Sequence, residues 1–148
     1  PEGKWDVIST FMCNTGQHLV CPSPNSDGLI IDHLSKEATT RHFDAIMASL
    51  DKISTEDKKL KFLMLDSYEV WAATDWTPGF IEEFKARYQY DPITYIPLLQ
   101  GYDHKDKIFG ERFQGDYRRL VSDLMIENHY AFSMEYGDQQ GIQLFNEA

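Results

Sequence analysis

Cysteine is scarce in this chain of 148 residues: only Cys13 and Cys21 occur. One pair is not a disulfide framework, so the reading is free or merely packed thiols, with a single bridge geometrically open. Basic residues are also few, 14 Lys and Arg against 24 Asp and Glu, for a formal net charge of −10. That charge repels phosphate backbones and anionic lipid, which argues against nucleic acid and membrane as partners. No run of about 18 apolar residues is present to span a bilayer. The first twenty residues lack the basic start and apolar core of a leader. The chain nevertheless opens at Pro1 without a Met and reads as trimmed or excised, so that lack excludes little. The five His and two Cys show no HExxH or CxxC spacing, and neither a phosphate-binding glycine loop nor GxSxG occurs. Zinc, nucleotide and Ser-His-Asp chemistries are therefore unsupported. Repeats, low-complexity tracts and domain linkers are missing too, which leaves one domain or part of one.

What is present is a folded composition, 42% hydrophobic and 14% aromatic. The length suffices for one core but falls short of an eight-fold β/α barrel, about 250 residues. Trp5 to Met12 is β-branched and aromatic and reads as a strand. A long polar loop follows from Asn14 to Asp27, a length that is usually functional or mobile. Ser35 then caps a helix carrying Phe43, Ile46, Met47 and Leu50, expected to end near the charged stretch beginning at Asp51. Phe62-Leu63-Met64-Leu65 is an uninterrupted apolar run, the pattern of a parallel strand buried on both faces. Thr77-Pro78 reads as an N-cap with proline at the first helical position, before a helix with Phe80, Ile81, Phe84 and Tyr88 as its apolar stripe. Asp91-Pro92 ends it, and Pro97 and Gly101 frame an irregular stretch. From Phe109 to Tyr136 helical spacing implies one long helix or two joined ones, and Ile142 to Phe145 is a third strand candidate. This order is the α/β pattern of parallel strands with crossover helices.

The chemistry-bearing residues gather at strand ends. Asp66 and Glu69, with Ser67, Tyr68 and Trp71, follow the apolar strand, where α/β enzymes place their sites. Glu69, framed by Tyr68, Val70 and Trp71, is the best candidate for a proton donor held partly out of water. The alternative is that Asp66 caps a turn and Glu69 is solvated. Glu147 repeats the placement after the third strand, unless the terminus frays. Two such carboxylates are the minimum equipment for glycoside hydrolysis. Asp32 and His33 are suited to a polyhydroxylated ligand or a cation, or simply to each other. Trp5, Trp71, Trp76 and Tyr68 offer stacking faces for a sugar, or core. Asp103 to Asp106 lacks the glycine and terminal glutamate of a calcium loop and reads as a solvated turn.

Several rare clusters occur together in order: Cys13-Asn14-Thr15-Gly16, Gly28 to Ala38, Asp66-Ser67-Tyr68-Glu69, Trp76-Thr77-Pro78 with Phe80, Tyr95 to Leu99, and Arg112-Phe113 with Asp116 and Arg118-Arg119. In these the chain resembles the glycoside hydrolase family 106 α-L-rhamnosidases over nearly its whole length. The resemblance implies that residues 1–148 are one incomplete segment of a catalytic (β/α)8 barrel, a partial TIM barrel, cut from a large multidomain enzyme. It implies inverting hydrolysis of terminal α-L-rhamnosides, a rhamnose-containing oligosaccharide or glycoside as partner, and a calcium ion associated with the site. By matching motif, Glu69 would be the general acid. The general base is expected beyond Ala148, with Glu147 as fallback. Asp32, His33, Asp66, Tyr68, Trp71 and Glu147 would be the substrate-binding set, His33 standing where the family more usually has Lys. Two alternatives stay open: a chain inactive by itself, a sugar-binding or structural module whose open sheet edges invite self-association, and a barrel glycosidase for another sugar, such as a β-galactosidase relative.

Overall fold

A computed structural model describes residues 2–4, 7–55, 59–71 and 74–147. The chain divides into two compact units, residues 1–15 with 79–120 and residues 16–78 with 121–148.

In the first unit, helix α2 spans Phe80–Tyr88 and α3 begins at Lys107, with a 3-10 helix, Ile93–Gln100, between them. Phe80 and Phe84 lie one turn apart on the buried face of α2, and Phe84 meets the rings of Tyr88, Tyr90 and Phe113 at 4.8, 5.0 and 5.8 Å. These contacts, with buried Leu98, Tyr117 and Leu120, form an aromatic core. The phenol of Tyr90 donates to Asp116 Oδ2 at 2.9 Å. Burial and that carboxylate push the phenol's pKa well above its ordinary value. Two expectations fail here. Val7 to Met12 form no strand, and Val7 and Phe11 are 89% and 87% exposed: β-propensity without a neighbouring strand does not make one. Trp5 and Asp6 lie outside the described residues. Nor do Thr77-Pro78 cap α2. Gly79, at φ 83°, takes the N-cap position with no side-chain cap bond, because the Thr77 hydroxyl is committed to Asp32.

In the second unit, α1 spans Lys36–Asp51 as expected, its first turn closed by Ser35, whose side chain accepts from the Ala38 N–H at 3.2 Å. The apolar run Phe62–Leu65 is strand β1, and β2 is Gln143–Asn146. They pair in parallel, Phe62 with Gln143 through Leu65 with Asn146. The helical tract expected from Phe109 to Tyr136 is two α-helices joined by a π-helical stretch: α3, Lys107–Met125, then Ile126–Ala131, then α4, Phe132–Gln140. Gly141, at φ 69°, turns the chain from α4 into β2.

β1 is not buried on both faces. Phe62 and Met64 are 54% and 61% exposed, while Leu63 and Leu65 are half-buried. In a sheet of two strands, no element among the described residues covers the face of Phe62, Met64 and Phe145. There the Phe62 and Phe145 rings stack at 5.7 Å.

Candidate active site

The parallel pair decides where the acids go. Because Leu65 is opposite Asn146, the residues that follow, Asp66 and Glu147, leave the sheet side by side at its C-terminal end. The Glu147 N–H extends the ladder by donating to the Leu65 carbonyl at 3.1 Å. Asp66 Oδ1 accepts from the Ser67 N–H at 2.9 Å at the strand's exit.

Beyond it, exposure alternates: Ser67, Glu69 and Trp71 are exposed, Tyr68 and Val70 half-buried. Extended backbone sends successive side chains to opposite sides. Glu69 is thus on the open side and Trp71 is 58% exposed. The partly dry setting expected for Glu69 is not supplied by its sequence neighbours: Tyr68 and Val70 are half-buried where Glu69 is exposed, and Trp71 is itself exposed. The Tyr68 hydroxyl donates to Asp75 Oδ1 at 2.9 Å, and its ring lies edge-on to His33 at 4.9 Å.

Asp32 and His33 do not pair with each other. Asp32 Oδ1 accepts from the Leu34 N–H at 2.9 Å, and Oδ2 from the Thr77 hydroxyl at 2.7 Å. Asp32 thereby ties the entry to α1 to the segment leading out of the site loop. His33 lies between Tyr68 and His129, whose ring centroid is 4.6 Å away. Burial, then the neighbouring His42, lower the pKa of His33, while the Ile31 backbone partly opposes them. His129 is buried on the π-helical stretch, beside the Thr39 hydroxyl at 3.3 Å from Nδ1. Burial, with His33 and His42 nearby, lowers its pKa to about 4. The next residue back, Asn128, donates its amide to the Leu34 carbonyl at 2.8 Å. The π-helical stretch therefore grips the Asp32–Leu34 corner at two adjacent positions.

Gln17 and His129 were not singled out by the sequence. Gln17 Nε2 donates to the Glu69 carbonyl at 2.7 Å, and its Oε1 accepts from the Trp71 N–H at 3.3 Å. No local pattern announces a side-chain-to-backbone contact across 52 positions. The loop holding Gln17 is pinned at its base. Leu19 N–H donates to the Gly28 carbonyl and Ile30 N–H to the Gln17 carbonyl, each at 3.1 Å, and His18 pairs with Asp27 at 2.7 Å. Cys13 and Cys21 are free and exposed. Asp103 to Asp106 bends at Lys105 and Asp106, with His104 half-buried beside Tyr95 and Phe109 rather than fully solvated, and Asp106 Oδ1 accepts from the Phe109 N–H at 3.0 Å at the start of α3. Trp76 is half-buried.

The family model for alpha-L-rhamnosidases, glycoside hydrolase family 106, matches residues 1–148. A protein of Formosa agariphila named "Putative beta-glucuronidase" is 30% identical over 145 residues, which are 97% of this chain and 12% of that protein. The structure of a rhamnosidase from Novosphingobium sp. PP1Y superposes with a TM-score of 0.79 at 26% identity, over 90% of this chain and 13% of that one. The chain thus spans about one eighth of the length of the relatives it matches. No described helix is long and apolar enough to cross a membrane.

Proposed function

The chain belongs to glycoside hydrolase family 106, the alpha-L-rhamnosidase family, and on that premise we propose that it is a single segment of a (β/α)8 catalytic barrel from an enzyme that hydrolyses terminal α-L-rhamnosides with inversion. The observation that carries this reading is the shared exit of Asp66 and Glu147 at the C-terminal end of a parallel strand pair, with Glu69 three residues further on. Barrel enzymes build their sites at that end. Glu69, in its carboxyl form, gives its proton to the glycosidic oxygen as the bond to the anomeric carbon breaks. A second carboxylate takes a proton from the water attacking the opposite face, and the sugar leaves with inverted configuration. We assign the second carboxylate to residues beyond Ala148, with Glu147 as the fallback.

Asp32, His33, Asp66, Tyr68, Trp71 and Glu147 are the proposed sugar contacts. Each Asp32 oxygen already accepts one hydrogen bond and keeps a lone pair for a sugar hydroxyl. The exposed indole of Trp71 offers a stacking face. Among the described residues, no three His, Cys, Asp or Glu side chains gather as a ligand set. No step of this reading runs through the calcium ion that the family implies.

The test is Glu69→Gln in the intact protein, assayed on phenyl α-L-rhamnoside. Turnover should be abolished with binding largely kept, and near-normal turnover removes Glu69 from the role. The name of the Formosa relative favours a second reading, a glycosidase for another sugar. A panel of aryl glycosides including α-L-rhamnoside and β-glucuronide, run on the intact protein and on the 148-residue chain, separates the readings and tests whether the chain alone is inactive.

A further inference from the structure

We propose that Gln17 is a positioning residue for Glu69, a role that rests on the general-acid reading above. The segment Asp66–Trp71 has left the sheet, so its backbone has lost the ladder that would hold it straight. Gln17 replaces two rungs. Its carboxamide gives a hydrogen to the Glu69 carbonyl at 2.7 Å and takes one from the Trp71 N–H at 3.3 Å, the only amide orientation that satisfies both groups. These two bonds bracket Val70, whose half-buried side chain faces away from the exposed Glu69. A peptide held on both sides in this way fixes the direction in which the Glu69 side chain departs. The clamp is itself anchored, because the Gln17 carbonyl accepts from Ile30 N–H at 3.1 Å, two residues before Asp32. The long loop that begins at Asn14 thus acts through Gln17 as the fixture for the acid's backbone.

A residue that aims a proton donor matters most where the leaving group needs the proton, and this separates it from a residue that merely keeps the fold. The experiment measures kcat and KM of the intact protein on phenyl α-L-rhamnoside, a poor leaving group, and on 2,4-dinitrophenyl α-L-rhamnoside, which departs without protonation. The variants are Gln17→Ala, Gln17→Met, which keeps the side-chain volume, Glu69→Gln, and Gln17→Ala with Glu69→Gln. Gln17 replacement should lower kcat on the phenyl glycoside by about 10- to 100-fold with KM nearly unchanged. It should leave the dinitrophenyl glycoside within about twofold and cost nothing further in the Glu69→Gln background. Equal loss on both substrates, or full additivity in the double variant, overturns the proposal. Near-normal turnover by Glu69→Gln overturns the general-acid reading and the proposal with it. If the wild type cleaves neither glycoside, the functional reading fails by itself and hydrogen exchange decides the clamp. A Trp71 amide that exchanges faster in Gln17→Ala while Leu63 and Leu65 stay protected upholds it, and unchanged exchange refutes it.

Discussion

The backbone N–H of Glu147 donates to the carbonyl of Leu65 at 3.1 Å, so the last rung of the parallel ladder is made by the main chain of a residue whose side chain is free to do something else. The Glu147 side chain is exposed, as is that of Glu69, and neither supports the sheet. Replacing either carboxylate by its amide should therefore leave stability within about 0.5 kcal/mol, as for ordinary surface substitutions. In the intact protein, Glu69→Gln is expected to lose turnover on phenyl α-L-rhamnoside, and Glu147→Gln less than about tenfold, both with wild-type melting curves. A loss for Glu147→Gln as large as that for Glu69→Gln would move the general base into this chain.

Thr77 is buried, and its hydroxyl donates to Asp32 Oδ2 at 2.7 Å. Thr77→Val keeps the shape and strands a carboxylate oxygen in a half-buried position. Hydrogen bonds to charged groups contribute roughly 1.5–3 kcal/mol, and an unfolding free energy lowered by that amount in urea titrations is expected. Thr77→Ser should recover most of it. A Val variant as stable as wild type would mean that water replaces the hydroxyl without cost.

The three clustered histidines give the second unit a defined response to acid. His129 is buried, with its pKa lowered to about 4 by burial first and then by His33 and His42. His33 and His42 are lowered as well, chiefly by burial. A lowered histidine pKa means that the unfolded chain binds the proton more readily. Stability is then greatest above about pH 6.5 and falls as pH drops toward 4. For His129 the fall is roughly 2–4 kcal/mol, since one pKa unit is about 1.4 kcal/mol. Denaturant titrations of the intact protein at pH 7.5, 6 and 4.5 should show it, and His129→Phe, which keeps a ring but cannot take a proton, should flatten it. A wild-type curve that is level across this window would contradict the burial of His129.

The sequence announced these features to different degrees, according to how local their causes are. α1 was legible because Ser35, the helical spacing and the charged stop are all contained in the segment itself. β1 was legible in its bounds, since four apolar residues between charges fit little else, but not in its burial, which depends on the elements laid against it. The start of α2 misled because Thr77 offers a good cap locally and is claimed instead by Asp32, 45 positions away. Val7 to Met12 misled for a similar reason, since a strand is a property of a pair. In the site, the strand-end positions of Asp66 and Glu147 followed from the α/β pattern. Gln17 and His129 act through contacts across 52 and 90 positions and leave no periodic trace.

Gly137 is a final case where only the packed structure gives the reason. It sits inside α4, where alanine is intrinsically favoured over glycine by about 1 kcal/mol. A Cβ there would overlap Leu144 Cδ1 and fall 2.9 Å from the Ile142 carbonyl oxygen. Leu144 is the one buried residue of β2, and the Ile142 backbone is fixed by its own N–H bond to the Gly137 carbonyl at 2.9 Å. The helix must therefore move off the strand whose end carries Glu147. Overpacking of this kind costs about 1–3 kcal/mol beyond the propensity gain, so Gly137→Ala should destabilise the intact protein despite the better helix former. Because part of the clash is with a side chain and part with backbone, Leu144→Ala in the same molecule should relieve only part of it. The double variant should then be more stable than the sum of the single effects implies, yet less stable than Leu144→Ala alone. A Gly137→Ala protein with a raised melting temperature would show that α4 and β2 are not in close contact.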